Sequence, residues 1–129
     1  MQRKVIQTDK APAAIGPYSQ AVRTGKLLFV SGQIPLRVGA SELVDPTDVG
    51  LQTRVVMENI GEILKAAGLT FEHVVKSTIF LTDLANFSEV NEIYGSHFST
   101  YKPARATVQV AALPKGAKVE IEVVASDDD

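Results

Sequence analysis

Residues 103–122, PARATVQVAALPKGAKVEIE, constrain this chain more than any other stretch. Two runs there alternate polar and apolar residues with the period of an extended strand. Arg105, Thr107 and Gln109 alternate with Ala106, Val108 and Val110. Lys118, Glu120 and Glu122 alternate with Val119, Ile121 and Val123. Strand side chains point to opposite faces in turn, so each run presents one apolar and one polar face. Pro114-Lys115-Gly116 reads as the turn that joins the two strands. Arg105 and Glu120 therefore sit on polar faces of structured elements. A guanidinium and a carboxylate held on rigid strands are what gripping a small acid and acting on it requires.

The rest of the chain reads as follows. Lys4–Gln7 fits a short edge strand, and residues 11–17 are turn-rich. Tyr18–Thr24 and Lys26–Ser31 form a predicted hairpin around Gly25. Leu27–Val30 is an uninterrupted apolar run, which predicts a strand buried on both faces. Gly32 marks a place where the backbone needs freedom or another group comes close. Asp45-Pro46-Thr47-Asp48 is a helix start, followed by Leu51, Val55, Ile60, Ile63, Leu64 and Ala67 at helical spacing, with Gly68 as the stop. His73–Thr82 is a β-branched strand. Asn86 and Glu89 resemble a capping box for a second helix, which carries Phe87, Val90, Tyr94 and Phe98 on one side and ends at Lys102-Pro103. Ser126–Asp129 should fray. The order β-β-β-α-β-α-β-β predicts one domain over residues 1–129, an α+β fold with one mixed sheet and two helices on one face. Nothing in the chain is left to cover the other face, so a second subunit is expected there.

Charge and composition narrow the chemistry. The formal net charge is −2, with no basic stripe to attract nucleic acid and no polybasic block for an anionic membrane. There are no cysteines, which excludes disulfides, thiol nucleophiles and thiolate metal sites. The N-terminus lacks an apolar signal run, and no segment approaches the ~18 apolar residues of a membrane span. A cytoplasmic location is expected, and a removed organellar presequence is compatible with it. His73 and His97 stand far apart and near no acid cluster, and Gly16 and Gly32 form no phosphate loop. No metal and no cofactor are expected.

On residues alone, Arg105 fits either a carboxylate anchor, since its planar fork matches two carboxylate oxygens, or a surface salt bridge. Glu120 fits either a base that activates water or one more acid on a strand face, with Glu122 as its neighbour on the same side. Tyr18 and Ser31 offer hydroxyl donors, or a half-buried ring and a strand-end hydroxyl.

Several blocks then resemble a known family. Pro103-Ala104-Arg105, Val110-Ala111-Ala112-Leu113-Pro114 and Val119-Glu120-Ile121-Glu122 resemble the signature of the RidA/YjgF family of imine deaminases. Ala13, Ile15-Gly16-Pro17-Tyr18-Ser19 and Val30-Ser31-Gly32-Gln33-Ile34-Pro35 match further blocks. The resemblance runs from about residue 10 to residue 125. It implies a chorismate-mutase-like fold and a homotrimer whose sheets form a central barrel, with sites in clefts between subunits. It implies that Arg105 binds the substrate carboxylate and that Glu120 holds the hydrolytic water. Tyr18, Ser31, Gly32 and Asn91 match cleft positions, and Phe87 would form an apolar wall. Thr107 stands where many members carry cysteine, so a role that needs a thiol is absent here. The implied reaction is hydrolysis of 2-iminopropanoate or 2-iminobutanoate to the 2-keto acid and ammonia. Two other readings stay open: an endoribonuclease or translation inhibitor, and a non-catalytic small-ligand-binding trimer.

Overall fold

The computed structural model describes residues 3–128. Its strands are β1 (Arg3–Ile6), β2 (Ala21–Thr24), β3 (Leu27–Gln33), β4 (Val74–Leu81), β5 (Ala104–Gln109) and β6 (Val119–Ser126). Helices α1 (Val49–Ala66) and α2 (Phe87–Gly95) lie on either side of β4 in sequence. The strands form one sheet in the order β1-β2-β3-β6-β4-β5. β4 and β5 run parallel, and every other neighbouring pair is antiparallel. The fold is the α+β arrangement expected.

Strand alternation sorts the side chains cleanly. Leu28, Val30, Ile79, Leu81, Val119, Ile121, Val123 and Ala125 are buried, and they form one apolar cluster with Val56, Met57, Ile60, Ile63 and Leu64 of α1. Burying each such side chain contributes roughly 1.5–3 kcal/mol. α1 forms where the sequence expects it. The Asp48 carboxylate accepts the Leu51 N–H at 2.9 Å, and Gly68 beyond the end has φ +78. The sheet's other face carries Val5, Val22, Phe29 and Val124 in register across four strands, with Phe80 and Val108 further along. Among the described residues no element covers it: Val5 is 54% exposed and Phe29 46%.

Five local expectations are corrected. β5 and β6 are not partners joined by a turn, because β4 lies between them and pairs with both. Leu27–Val30 is not buried on both faces. Leu28 and Val30 are buried while Leu27 and Phe29 stand on the uncovered face. Asn86 makes no side-chain cap bond. Asp83 instead accepts the Ala85 N–H at 2.9 Å and starts a 3-10 turn that leads into α2. α2 ends at Gly95 rather than at Lys102, because the Ser96 hydroxyl donates to the Ile93 carbonyl at 2.6 Å and diverts the last turn. The polar end expected to fray is tied down as far as Asp128. Asp127 donates its N–H to Lys26 O at 2.7 Å and pairs with Arg23 at 3.0 Å, and Lys26 reaches Asp128 at 3.2 Å. Asp129 lies outside the described residues.

Candidate functional site

Two places gather the residues of interest, and they lie on opposite faces of the sheet. β6 aligns Glu120 with Phe80 of β4 on the uncovered face. β5 aligns Arg105 with Ser77 of β4 on the helix-covered face, and Thr107 with Ile79. The pleat thus separates the two charges that the sequence left unplaced relative to each other.

Glu120 sits at the back of a cleft of about 500 Å³ walled by Ile15, Tyr18, Gly32, Ile34 and Pro114. Glycine at position 32 leaves room for this carboxylate. A Cβ built there would fall 2.1 Å from Glu120 Oε2, and the carboxylate occupies that space. A break in the pairing of β3 with β6 between Val30 and Gln33 makes the room. Burial raises the Glu120 pKa, and the neighbouring Glu122 carboxylate raises it further. Arg105, which leaves the other face of the sheet, is not among the causes.

The loop that carries Tyr18 is held by a buried amide. Gln20 accepts the Thr8 N–H at 2.7 Å and donates to the carbonyls of Pro12 at 2.8 Å, Thr8 at 3.1 Å and Ala11 at 3.3 Å. Ser31 donates its hydroxyl to Ser19 O at 2.5 Å, and its N–H to Gln20 O at 2.9 Å. Its donor is therefore spent on fixing the loop, and only lone pairs remain to face outward. Tyr18 is 54% exposed at the cleft mouth. Lys115 also lines the cleft from a backbone turn with φ 58, a conformation uncommon for a residue with a side chain.

Arg105 lies against α2. Its Nη1 donates to Asn91 Oδ1 at 2.5 Å. The guanidinium stands 5.2 Å from the Tyr94 ring centre and 5.5 Å from that of Phe87. Tyr94 is fixed beneath it by a 2.8 Å hydrogen bond to the buried Ser77 hydroxyl. Burial pushes the Tyr94 pKa up, against the opposing pull of Ser77 and of Arg105. Thr107, two residues along the strand, has a buried hydroxyl oxygen with no partner. The structure thus gathers Arg105, Asn91, Phe87 and Thr107 around one strand edge. Tyr18, Gly32 and Glu120 gather in the other place, with Ser31 behind the Tyr18 loop.

The family described as Endoribonuclease L-PSP matches residues 8–127, nearly the whole chain. The chain belongs to the RidA/YjgF family. This RidA/YjgF chain is similar to Protein DfrA of Myxococcus xanthus, 58% identical over 97% of this chain and 96% of that protein. It is also similar to the 2-iminobutanoate/2-iminopropanoate deaminase of Mus musculus, 53% identical over 95% of this chain and 90% of that protein. Among solved structures it is similar to E. coli TdcF with bound serine. The TM-score is 0.89 and the identity 45%, over 97% of this chain and 99% of that one. Among the described residues of this RidA/YjgF member, no helix is long and apolar enough to cross a membrane.

Sequence reasoning did not find Gln20, Lys115 or Tyr94. Gln20 carries no motif and matters through its hydrogen bonds. Lys115 was legible only as a turn residue. Tyr94 lay on the apolar stripe of its helix and was read as packing, and only the strand register shows it beneath Arg105.

Proposed function

We propose that this protein hydrolyses small 2-imino acids to 2-keto acids and ammonia, in a homotrimer whose sites form between copies. The observation that carries this reading is the Glu120 carboxylate, seated against Gly32 in a cleft on the uncovered sheet face whose walls include Ile15, Ile34, Leu36 and Pro114. That seat suits a group that orients and deprotonates a water. Its raised pKa makes it a stronger base than an exposed glutamate once ionised.

Glu120 cannot meet Arg105 of its own chain, because the two side chains leave opposite faces of the sheet. They can meet across a boundary where the uncovered face of one copy packs beside the β5 edge of another. The apolar stripe through Val5, Val22, Phe29 and Val124 gives such packing its driving force. Closed rings of identical copies leave no such face open.

In this site Arg105 of one copy takes the substrate carboxylate in its fork. Glu120 of the next copy takes a proton from water as the oxygen bonds to the C=N carbon. The π pair moves to nitrogen, which takes the proton back from Glu120 and gives a neutral carbinolamine. Glu120 then accepts the carbinolamine hydroxyl proton as the carbonyl forms and passes it to nitrogen, and ammonia leaves with the electron pair of the broken C–N bond. Tyr18 stands at the cleft mouth to orient the imine, and the apolar wall around Glu120 limits bulk water. Imine hydrolysis proceeds in water unaided. Positioning plus one acid–base group, which supplies ~10²–10⁴-fold, is enough for a useful catalyst.

The test uses an amino-acid dehydratase to generate 2-aminoacrylate in the presence of semicarbazide, and measures how far the protein outruns the trap. Arg105→Ala and Glu120→Gln are each expected to be inactive. Copies of the two variants, unfolded and refolded together, should regain about one quarter of wild-type activity. That fraction follows if each site draws one residue from each of two randomly mixed copies. A folded wild type that does not outrun the trap refutes the deaminase reading. Inactivity of the mixture refutes the shared site.

A further inference from the structure

The pocket beside Arg105 holds two cations and no acid. Lys102 joins Arg105 around a space of about 390 Å³ whose walls are the Tyr94 and Phe98 rings, 4.7 Å apart. The Lys102 ammonium donates to the Phe98 carbonyl at 2.5 Å, which stations it at the turn following α2. That bond uses one of its three N–H donors. Arg105 likewise spends one donor on Asn91 and keeps the rest of its fork. Neither cation belongs to an ion pair among the described residues. Among the described residues, Arg23, Lys26 and Arg37 are the cations with an acid beside them. A monocarboxylate imine answers only one of the two charges, that of Arg105. Within one copy, Lys102 is left facing the same space with no acid beside it.

We propose that Lys102 is a specificity-determining residue that takes a second carboxylate, so that the site favours 2-imino acids with an acidic side chain over 2-iminopropanoate. The α-carboxylate would rest on Arg105 and the side-chain carboxylate on Lys102, over the Tyr94 and Phe98 rings. The inference rests on the deaminase reading for its chemistry, but its test does not. A purely structural lysine, capping the turn after α2, would account for the Phe98 bond. It would not discriminate between ligands.

The experiment titrates the full-length protein with succinate and with propanoate at constant ionic strength, by calorimetry or NMR shifts. It is run on wild type, Lys102→Met and Lys102→Arg. Wild type should bind succinate about tenfold more tightly than propanoate, the discrimination expected of one partly exposed charge-assisted contact. Lys102→Met should bring the two ligands to parity with propanoate affinity unchanged, and Lys102→Arg should restore the preference. A modest fall in thermal stability of Lys102→Met accompanies either role and is corrected for by confirming the fold. Equal binding of the two acids by wild type overturns the proposal. So does an unchanged ratio in Lys102→Met, or no binding of either acid. Failure of the deaminase reading shows elsewhere, as wild type that does not outrun semicarbazide.

Discussion

Gly32→Ala isolates the placement of Glu120 from its chemistry. The new methyl group would stand 2.1 Å from Glu120 Oε2, 3.0 Å from Cδ and 3.2 Å from Cγ. Ordinary contact begins near 3.4 Å, so the oxygen must retreat from 2.1 to 3.4 Å, about 1.3 Å. The obstructing atoms are the end of a flexible side chain, so the backbone can stay in place while the carboxylate swings away. Overpacking of this kind costs typically ~1–3 kcal/mol, and a displacement of ~1 Å at a reacting group costs on the order of 100-fold in rate. The variant should therefore remain folded, with a melting temperature lowered by several degrees. Its kcat/KM in the semicarbazide competition should fall about 100-fold. Circular dichroism gives the first quantity and the coupled assay the second. A folded Gly32→Ala protein with activity within about threefold of wild type would refute the claim that the seat of Glu120 matters.

Three further outcomes follow from the geometry. Glu120→Gln should lose ~10²–10⁴-fold in turnover. Folding raises the Glu120 pKa, so stability from that group is full below the unfolded value of 4.5 and is lost as pH rises through the folded value. Urea unfolding at pH 7 should accordingly find Glu120→Gln equal to or more stable than wild type, and the advantage should vanish below pH 4.5. Tyr94→Phe strips the buried Ser77 hydroxyl of its 2.8 Å partner and should cost about 1–3 kcal/mol by the same unfolding measurement. Phe29→Glu puts a charge in the centre of the uncovered stripe, next to Val22 and Val124. Sedimentation should show a folded protein of smaller mass than wild type.

Local chemistry was the part of the fold that the sequence made readable. α1 announced itself through Asp48, the 3.6-residue spacing of its apolar side and Gly68. β4 and β6 showed β-branched alternation. What stayed hidden was long-range pairing. Two adjacent alternating runs with a turn between them look like a hairpin, and nothing in residues 103–126 reveals that β4, from thirty residues earlier in the chain, enters between them. Leu27–Val30 misled for a related reason. An apolar run cannot tell a strand covered by its own helices from one whose second face is left to another copy. For the candidate site, motif blocks supplied the residues and the register supplied their sides. Arg105 and Glu120 look interchangeable in sequence, each on a polar position of a strand, and only the pairing with Ser77 and Phe80 shows that they point apart. Ser31 read as either a donor to a ligand or a strand-end hydroxyl, and its hydroxyl serves the Tyr18 loop.

The position of β6 also bears on how the protein comes into being. The strand that joins β3 to β4 at the middle of the sheet is the last of the described strands in sequence. A growing polypeptide can build the β1-β2-β3 meander and the β4-α2-β5 crossover as it emerges. It cannot unite them until residues 119–126 are free. Until then the inner edges of β3 and β4 stand open, both rich in apolar residues and ready to pair with any extended chain. Loss of β6 would therefore act as a failure of closure, leaving two adhesive fragments in place of one sheet. Synthesis carries its greatest aggregation hazard just before the final strand is delivered.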